Sequence, residues 1–205
     1  MTEPRGGRHA VTPERAANQR ADAQRNRAAI LAATPVALQN NPEASIADIA
    51  AEAGVGRMTL YGHFKSRVEL IEAALIESLG HGEEVLSQVP LDGNASEAFS
   101  RLITSSWTLL DQARALLTAA QKELPPERIR ELHEKAEARM RGVLERGQRE
   151  GEFRTDLPVS WLLATTHVVM NAAAAEITAG RLHPGDAAHF IDATLRPALG
   201  RAARS

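Results

Sequence analysis

Cysteine is absent from the 205 residues, which excludes disulfides, thiolate metal sites and cysteine nucleophiles together and fits a reducing compartment. Aromatic residues make up only 3% of the chain, and strand-like alternation of apolar and polar residues is hard to find, which argues against a sheet protein. No run of about 18 uninterrupted apolar residues occurs. The opening stretch, MTEPRGGRHAVTPERAANQRADAQR, lacks the apolar centre of a secretory signal. A cytoplasmic protein without membrane contact is the expectation. Phosphate loops, nucleophile elbows and zinc-ligand spacings are missing too. None of the seven histidines stands four residues from another histidine, and His183 and His189 are six apart. No catalytic residue, metal ligand or cofactor is therefore expected, and the chain does not read as an enzyme.

What is present is helical. Hydrophobic residues reach 43%, enough for one sizeable core or a small module on a larger one, and alanine-rich segments carry apolar residues three or four apart. The fold class is read as all-α. Net charge is −2, but unevenly spread: residues 1–67 hold nine Lys/Arg against six Asp/Glu, a balance of +3, leaving −5 for the remainder. A phosphate backbone responds to local positive potential rather than to whole-chain charge. The N-terminal part is thus the plausible nucleic-acid face.

Residues 1–22, with Pro4, Gly6, Gly7 and Pro13, read as a flexible arm, either a tail or a DNA-grasping segment; Pro13-Glu14-Arg15 could also open a short helix. A first helix is predicted from about Ala23 to Gln39, with a kink or break near Thr34 because Pro35 lacks a backbone donor. Asn40-Asn41-Pro42-Glu43 is turn chemistry. Ser45 then stands as N-cap with Asp48 three residues on, and Ile46, Ile49, Ala50 and Ala53 share one face. Gly54 is suited to the left-handed conformation that ends a short helix. A third helix covers about Arg57 to Phe64. Ser66 with Glu69 starts a fourth, through Leu79, and Gly80, Gly82, Pro90 and Gly93 punctuate a linker. Further helices are predicted at about 95–111, 113–123, 126–150, 158–179 and 185–199.

Two short helices joined by a glycine turn form a unit whose second helix fits the major groove. On that second helix Leu60 and Phe64 can face the core, which leaves Arg57, Met58, Thr59, Tyr61 and His63 outward. An arginine, a hydroxyl, a phenol and an imidazole gathered on one short helix suit phosphate oxygens and base edges.

The run SIADIAAEAGVGRMTLYGHFKSRVEL at residues 45–70 resembles the signature of TetR-family repressors almost end to end, and the likeness covers about 45 residues. That resemblance implies a DNA-binding domain at 23–67, a helical ligand-sensing and dimerisation domain at 68–205, a double-stranded operator and a small-molecule inducer. It further implies that Arg57, Met58 and Thr59 approach bases, Thr59 with a phosphate as its other option, and that Tyr61, His63 and Arg67 grip phosphates. Ser45 and Lys65 complete the candidate DNA contacts. Gly56 stands where the family often has a capping serine, and Pro35 and Leu38 where its first helix usually runs smoothly to an aromatic residue.

Beyond Leu79 the residues give a partial reading of their own. Small residues among Leu162, Val168, Val169 and Met170, and one broad face made of Phe190, Ile191, Thr194, Leu195, Ala198 and Leu199, allow a second chain's helices to approach. The pattern suits a homodimer, although a core within one chain would produce it as well. Trp107, Leu110, Leu117, His167 and Asn171 are the candidate lining of a ligand cavity, with ordinary core roles open for Trp107 and His167. A helical interaction scaffold without specific DNA binding is the competing class.

Overall fold

The computed structural model describes residues 13–200, which form eight α-helices and no β-strand among the described residues. The chain divides into two compact units, one ending at Leu70 and the other beginning at Ile71.

The first unit holds α1 (Pro13–Asn40), α2 (Ile46–Glu52), α3 (Arg57–His63) and the opening turn of α4 (Arg67–Ser87). Helix α1 begins at Pro13 rather than Ala23, so Pro13 to Asp22, assigned to the flexible arm by their glycine- and proline-rich surroundings, are helical; residues 1–12 lie outside the described residues. Proline suits the first helical position, where its missing donor would have had no partner, and the Ala, Arg and Gln that follow are good helix formers. No break occurs at Pro35. Both sides of it are held by packing: Ile30, Leu31, Thr34, Ala37 and Leu38 are all buried, and the Thr34 hydroxyl donates to the Ile30 carbonyl at 2.8 Å. One lost backbone bond is a smaller term than the burial of that face. Ile49, Ala50, Leu60, Phe64 and Leu70 supply the facing side of this core.

The second unit contains the rest of α4, α5 (Ala95–Glu123), α6 (Pro126–Arg149), α7 (Val159–Thr178) and α8 (Pro184–Leu199). Two predicted boundaries are corrected. Helix α4 continues through Gly80 and Gly82 to Ser87, because a helical glycine lowers stability by only about 1 kcal/mol and ends a helix only where a left-handed residue is required. Helix α5 is one helix rather than two. Neither Gly nor Pro interrupts residues 111–113, and its buried face runs on from Trp107 to Leu116, Ala119 and Ala120. Asn94 caps α5 by accepting from the Glu97 amide at 2.7 Å, and Glu152 accepts from the Ser96 amide at 3.0 Å. The core gathers Phe99, Leu102, Ile103, Trp107, Leu144, Phe153, Leu163, Ile191 and Leu195, with the Phe99 and Phe153 rings edge to face at 6.1 Å.

The two C-terminal helices do not present one broad face. On α8, Ile191, Leu195 and Leu199 point into the core while Phe190, Thr194 and Ala198 are exposed. On α7, Leu162, Leu163, Thr166 and Met170 are buried and Trp161, Ala164, Val168, Ala172 and Ala175 are exposed. Each helix thus has an apolar stripe turned inward and a second, separate one turned out. No helix among the described residues is long and apolar enough to cross a membrane.

Candidate nucleic-acid interface

Helix α2 starts where it does because Ser45 and Asp48 satisfy each other's free groups. The Ser45 side chain accepts from the Asp48 amide at 3.3 Å, and the Asp48 carboxylate accepts from both the amide and the hydroxyl of Ser45 at 2.8 Å. These bonds, the backbone one first, hold the Asp48 carboxyl below the usual aspartate range. A carboxyl whose folded-state pKa is depressed contributes fully above the unfolded value and loses that contribution as pH falls through the folded one. Ser45→Ala, which keeps the backbone bond, is expected to cost about 1 kcal/mol and to flatten the acid limb of the stability profile in part. Urea unfolding at neutral and at acidic pH checks both, and an unchanged acid limb would remove the capping box from the account.

The turn into α3 is closed by two backbone bonds, from the Val55 amide to the Ala50 carbonyl at 3.0 Å and from the Gly54 amide to Ala51 at 3.1 Å. This Schellman pattern needs a left-handed residue after the helix end, and Gly54 supplies it with φ of +66°. Gly56, the N-cap of α3, gives no side-chain bond, so the first amides of α3 are left without a capping partner from that position.

Helix α3 is anchored by Leu60 and Phe64, 0% and 1% exposed. A step of about 100° per residue places Met58 on the side away from them and Arg57 and Tyr61 along the flank of the buried face. Met58 is 82% and Tyr61 38% exposed, Arg57 is exposed at the open start of the helix, and Thr59 and His63 are half-buried. The Arg57 guanidinium lies over the Tyr61 ring, 5.7 Å from its centroid, which pre-orients two long side chains on the outer face. Lys65 is exposed just beyond the helix. Its amide donates to the Glu69 carboxylate at 2.8 Å while Ser66 accepts from the Glu69 amide at 3.1 Å, so Glu69 reaches back one residue further than an ordinary capping box.

Arg67 differs from the other candidates. It is half-buried, and its Nε donates to the Ala44 carbonyl at 3.1 Å, tying the start of α4 to the corner before α2. Sequence reasoning missed this strut, and it missed Arg27, whose guanidinium stands 5.3 Å from the centroid of the Phe64 ring. Nothing local signals either, since each pair joins residues far apart in the chain.

The five candidate ligand residues differ in burial. Trp107 is 4% exposed within the core; Leu110 and Leu117 are half-buried on α5, and His167 and Asn171 are exposed on α7. None of the five lines the cleft of about 500 Å³ beside α6. Although His167 is exposed by surface area, desolvation by neighbouring atoms lowers its pKa; His133 adds to this and Glu137 opposes it. Among the described residues no group of three His, Asp or Glu side chains is poised to hold a metal ion.

Comparison with known proteins agrees with this geometry. Residues 30–74 match the family model of bacterial regulatory proteins, tetR family. Over 87 residues the chain is 32% identical to the HTH-type transcriptional repressor LfrR of Mycolicibacterium smegmatis (strain ATCC 700084 / mc(2)155), an alignment that covers 42% of this chain and 46% of that protein. Over 140 residues it is 29% identical to the HTH-type transcriptional repressor KstR2 of Rhodococcus jostii (strain RHA1), covering 63% and 67%. The chain thus spans about half the length of the first of these relatives and about two thirds of the second. Its fold is similar to that of the transcriptional regulator FadR from Bacillus subtilis, solved in complex with stearoyl-CoA, with a TM-score of 0.67 and 20% identity over 83% of this chain and 96% of that one.

Proposed function

We propose that the chain, whose residues 30–74 match the model of bacterial regulatory proteins, tetR family, is a member of that family and a ligand-responsive repressor that binds operator DNA as a homodimer through α2 and α3. The observation that carries this reading is the outer face of α3. Arg57, Met58 and Tyr61 are free to meet a groove while Leu60 and Phe64 lock the helix from behind, the arrangement a base-reading helix requires. Arg57 and Met58 would face base edges, with Thr59 at the groove's edge. Tyr61, His63 and Lys65 would hold phosphates. Arg67, whose Nε is bonded to the Ala44 carbonyl, would stand beside the DNA backbone, and Ser45 would present the start of α2.

The test is a gel shift on DNA from upstream of the protein's own gene, across a salt series and with scrambled competitor. Binding that weakens with salt and prefers the upstream DNA supports the reading. Equal affinity for both DNAs leaves only non-specific binding, and no shift at all returns the chain to the scaffold class. Tyr61→Ala is expected to weaken binding to every sequence, and Arg57→Ala to change sequence preference as well, each by about 1 to 3 kcal/mol. Equal losses on specific and random DNA for Arg57→Ala would contradict its base-reading role.

Dimerisation is supported by the outward stripes of α7 and α8, where Trp161, Val168 and Phe190 are 60%, 66% and 50% exposed. Large apolar side chains set among alanines give a surface that a second copy can cover closely. Two copies would engage the two half-sites of a palindrome. Light scattering that finds only monomer at micromolar concentration would sink this part. An inducer bound in the larger unit would favour a spacing of the two readers, transmitted through α4, that no longer matches successive major grooves. No cofactor or catalytic step enters this scheme.

A further inference from the structure

The cleft beside α6 has a chemistry that the DNA-reading face does not use. It measures about 500 Å³ and lies within the second unit, between Glu83 of α4, Leu91 of the following linker and one stripe of α6. That stripe carries Lys135, Arg139 and Arg146 at helical spacing, with Val143 beside them. Three cations therefore face one carboxylate. Lys135 has no ion-pair partner among the described residues. Arg139 pairs with Glu83 through Nη2, and Arg146 has, among the described residues, Glu150 at 3.9 Å.

The pairing is incomplete where water cannot help. Arg139 Nε, Arg146 Nε and Nη2, and Glu83 Oε2 are all covered and have no hydrogen-bond partner. Covered donors and acceptors of charged groups are costly to leave unpaired, and here three donors and one acceptor are left so in one place. An oxyanion that also carries a hydroxyl matches that set: its oxygens accept from the guanidinium groups and its O–H donates to Glu83 when these long side chains turn toward the opening. A phosphate monoester holding one proton has both features, whereas an ionised carboxylate has no donor.

Gly142 is the second sign of a built opening. It sits in the middle of the cationic stripe, and a Cβ added there would meet nothing within 4 Å. A side chain at this position would project into the cleft, so glycine keeps it clear at the expense of helix propensity. The volume is within the range of small-molecule sites, and Leu91 and Val143 give an apolar wall.

We propose that this cleft binds a small organic phosphate, with its charged group against Arg139, Arg146 and Lys135 and its apolar part against Leu91 and Val143. As an effector site it rests on the reading of the second unit as a sensor. The binding itself does not.

The experiment is a calorimetric titration of the full chain with phenyl phosphate at constant ionic strength. Phthalate serves as the carboxylate arm and benzyl alcohol as the neutral one. Saturable binding of phenyl phosphate, weaker binding of phthalate and none of benzyl alcohol is the expected order. Arg146→Gln should weaken phenyl phosphate binding by about tenfold or more, and Gly142→Leu should abolish it by filling the cleft while every charge stays in place. Circular dichroism confirms that each variant is folded, and Gly142→Leu keeps the test decisive if Arg146→Gln is not. Absence of saturation, or affinity unchanged in Gly142→Leu, overturns the proposal, and phthalate binding more tightly than phenyl phosphate overturns the choice of phosphate. A gel shift on the same samples separates the two readings: lost DNA recognition with intact phosphate binding counts against the repressor alone, and the converse counts against the cleft alone.

Discussion

Phe64→Ala is expected to destabilise the unit ending at Leu70 by about 3 to 5 kcal/mol and to abolish the proposed operator binding with it. Phe64 is 1% exposed, and its amide donates to the Leu60 carbonyl at 2.9 Å as α3 ends. Its ring also underlies Arg27, so truncation leaves a cavity between α1 and α3 that two short helices cannot close by collapsing. Small domains have margins of only about 5 to 15 kcal/mol. A loss of this size therefore takes most of what holds α3 in place, while the second unit, with a core of its own, should unfold much as before. Urea unfolding followed by circular dichroism, with a gel shift in parallel, checks both halves. Arg27→Ala is the control, because it removes only the cation–π contact, worth about 0.5 to 1 kcal/mol at an exposed site. A Phe64→Ala loss no larger than that of Arg27→Ala would show that the anchor of α3 lies elsewhere.

Gly147→Ala and Gly142→Ala, five residues apart on α6, are expected to act with opposite sign. A Cβ at Gly147 would overlap the ring of Phe153, which is 2% exposed and packed edge-on against Phe99. The ring has no free space to enter, so overpacking should cost about 1 to 3 kcal/mol or more, outweighing the roughly 1 kcal/mol that alanine brings to a helix interior. At Gly142 the added methyl meets no atom, and only that gain of about 1 kcal/mol remains. Thermal unfolding of the two variants side by side decides it. A Gly147→Ala variant as stable as the native chain would mean that the Phe153 ring is not held where its neighbours place it.

The same pair of glycines shows where sequence reading stops. Both interrupt a helical pattern identically, and nothing nearby distinguishes the one that faces a ring from the one that faces an opening. By contrast, the recognition unit was legible because its determinants are local. Ser45 with Asp48, Gly54 after α2, and Ser66 with Glu69 each act over three or four residues, and the pairing of Leu60 with Phe64 follows from helical period, with the polarity of their neighbours marking the outer side.

Gly80 and Gly82 were misread for the complementary reason. Their local preference is to break a helix, as is that of Pro35, but burial of Ile30, Leu31, Thr34 and Leu38 beside Pro35 keeps α1 continuous, and neither Gly80 nor Gly82 takes the positive φ that ends a helix. The outward stripes of α7 and α8 were read together with the inward ones, since both are apolar and only the packed bundle assigns each to its side.

The sequence by itself determined an all-α chain, the position of the helix-turn-helix and the outward residues of α3, because caps, turns and period are set by neighbours along the chain. Tertiary structure alone decided that Arg67 braces Ala44, that Arg27 covers Phe64, that Trp107 belongs to the core, and that α6 borders a cationic cleft. Those contacts join residues distant in sequence, and their energies depend on which surfaces the fold brings together.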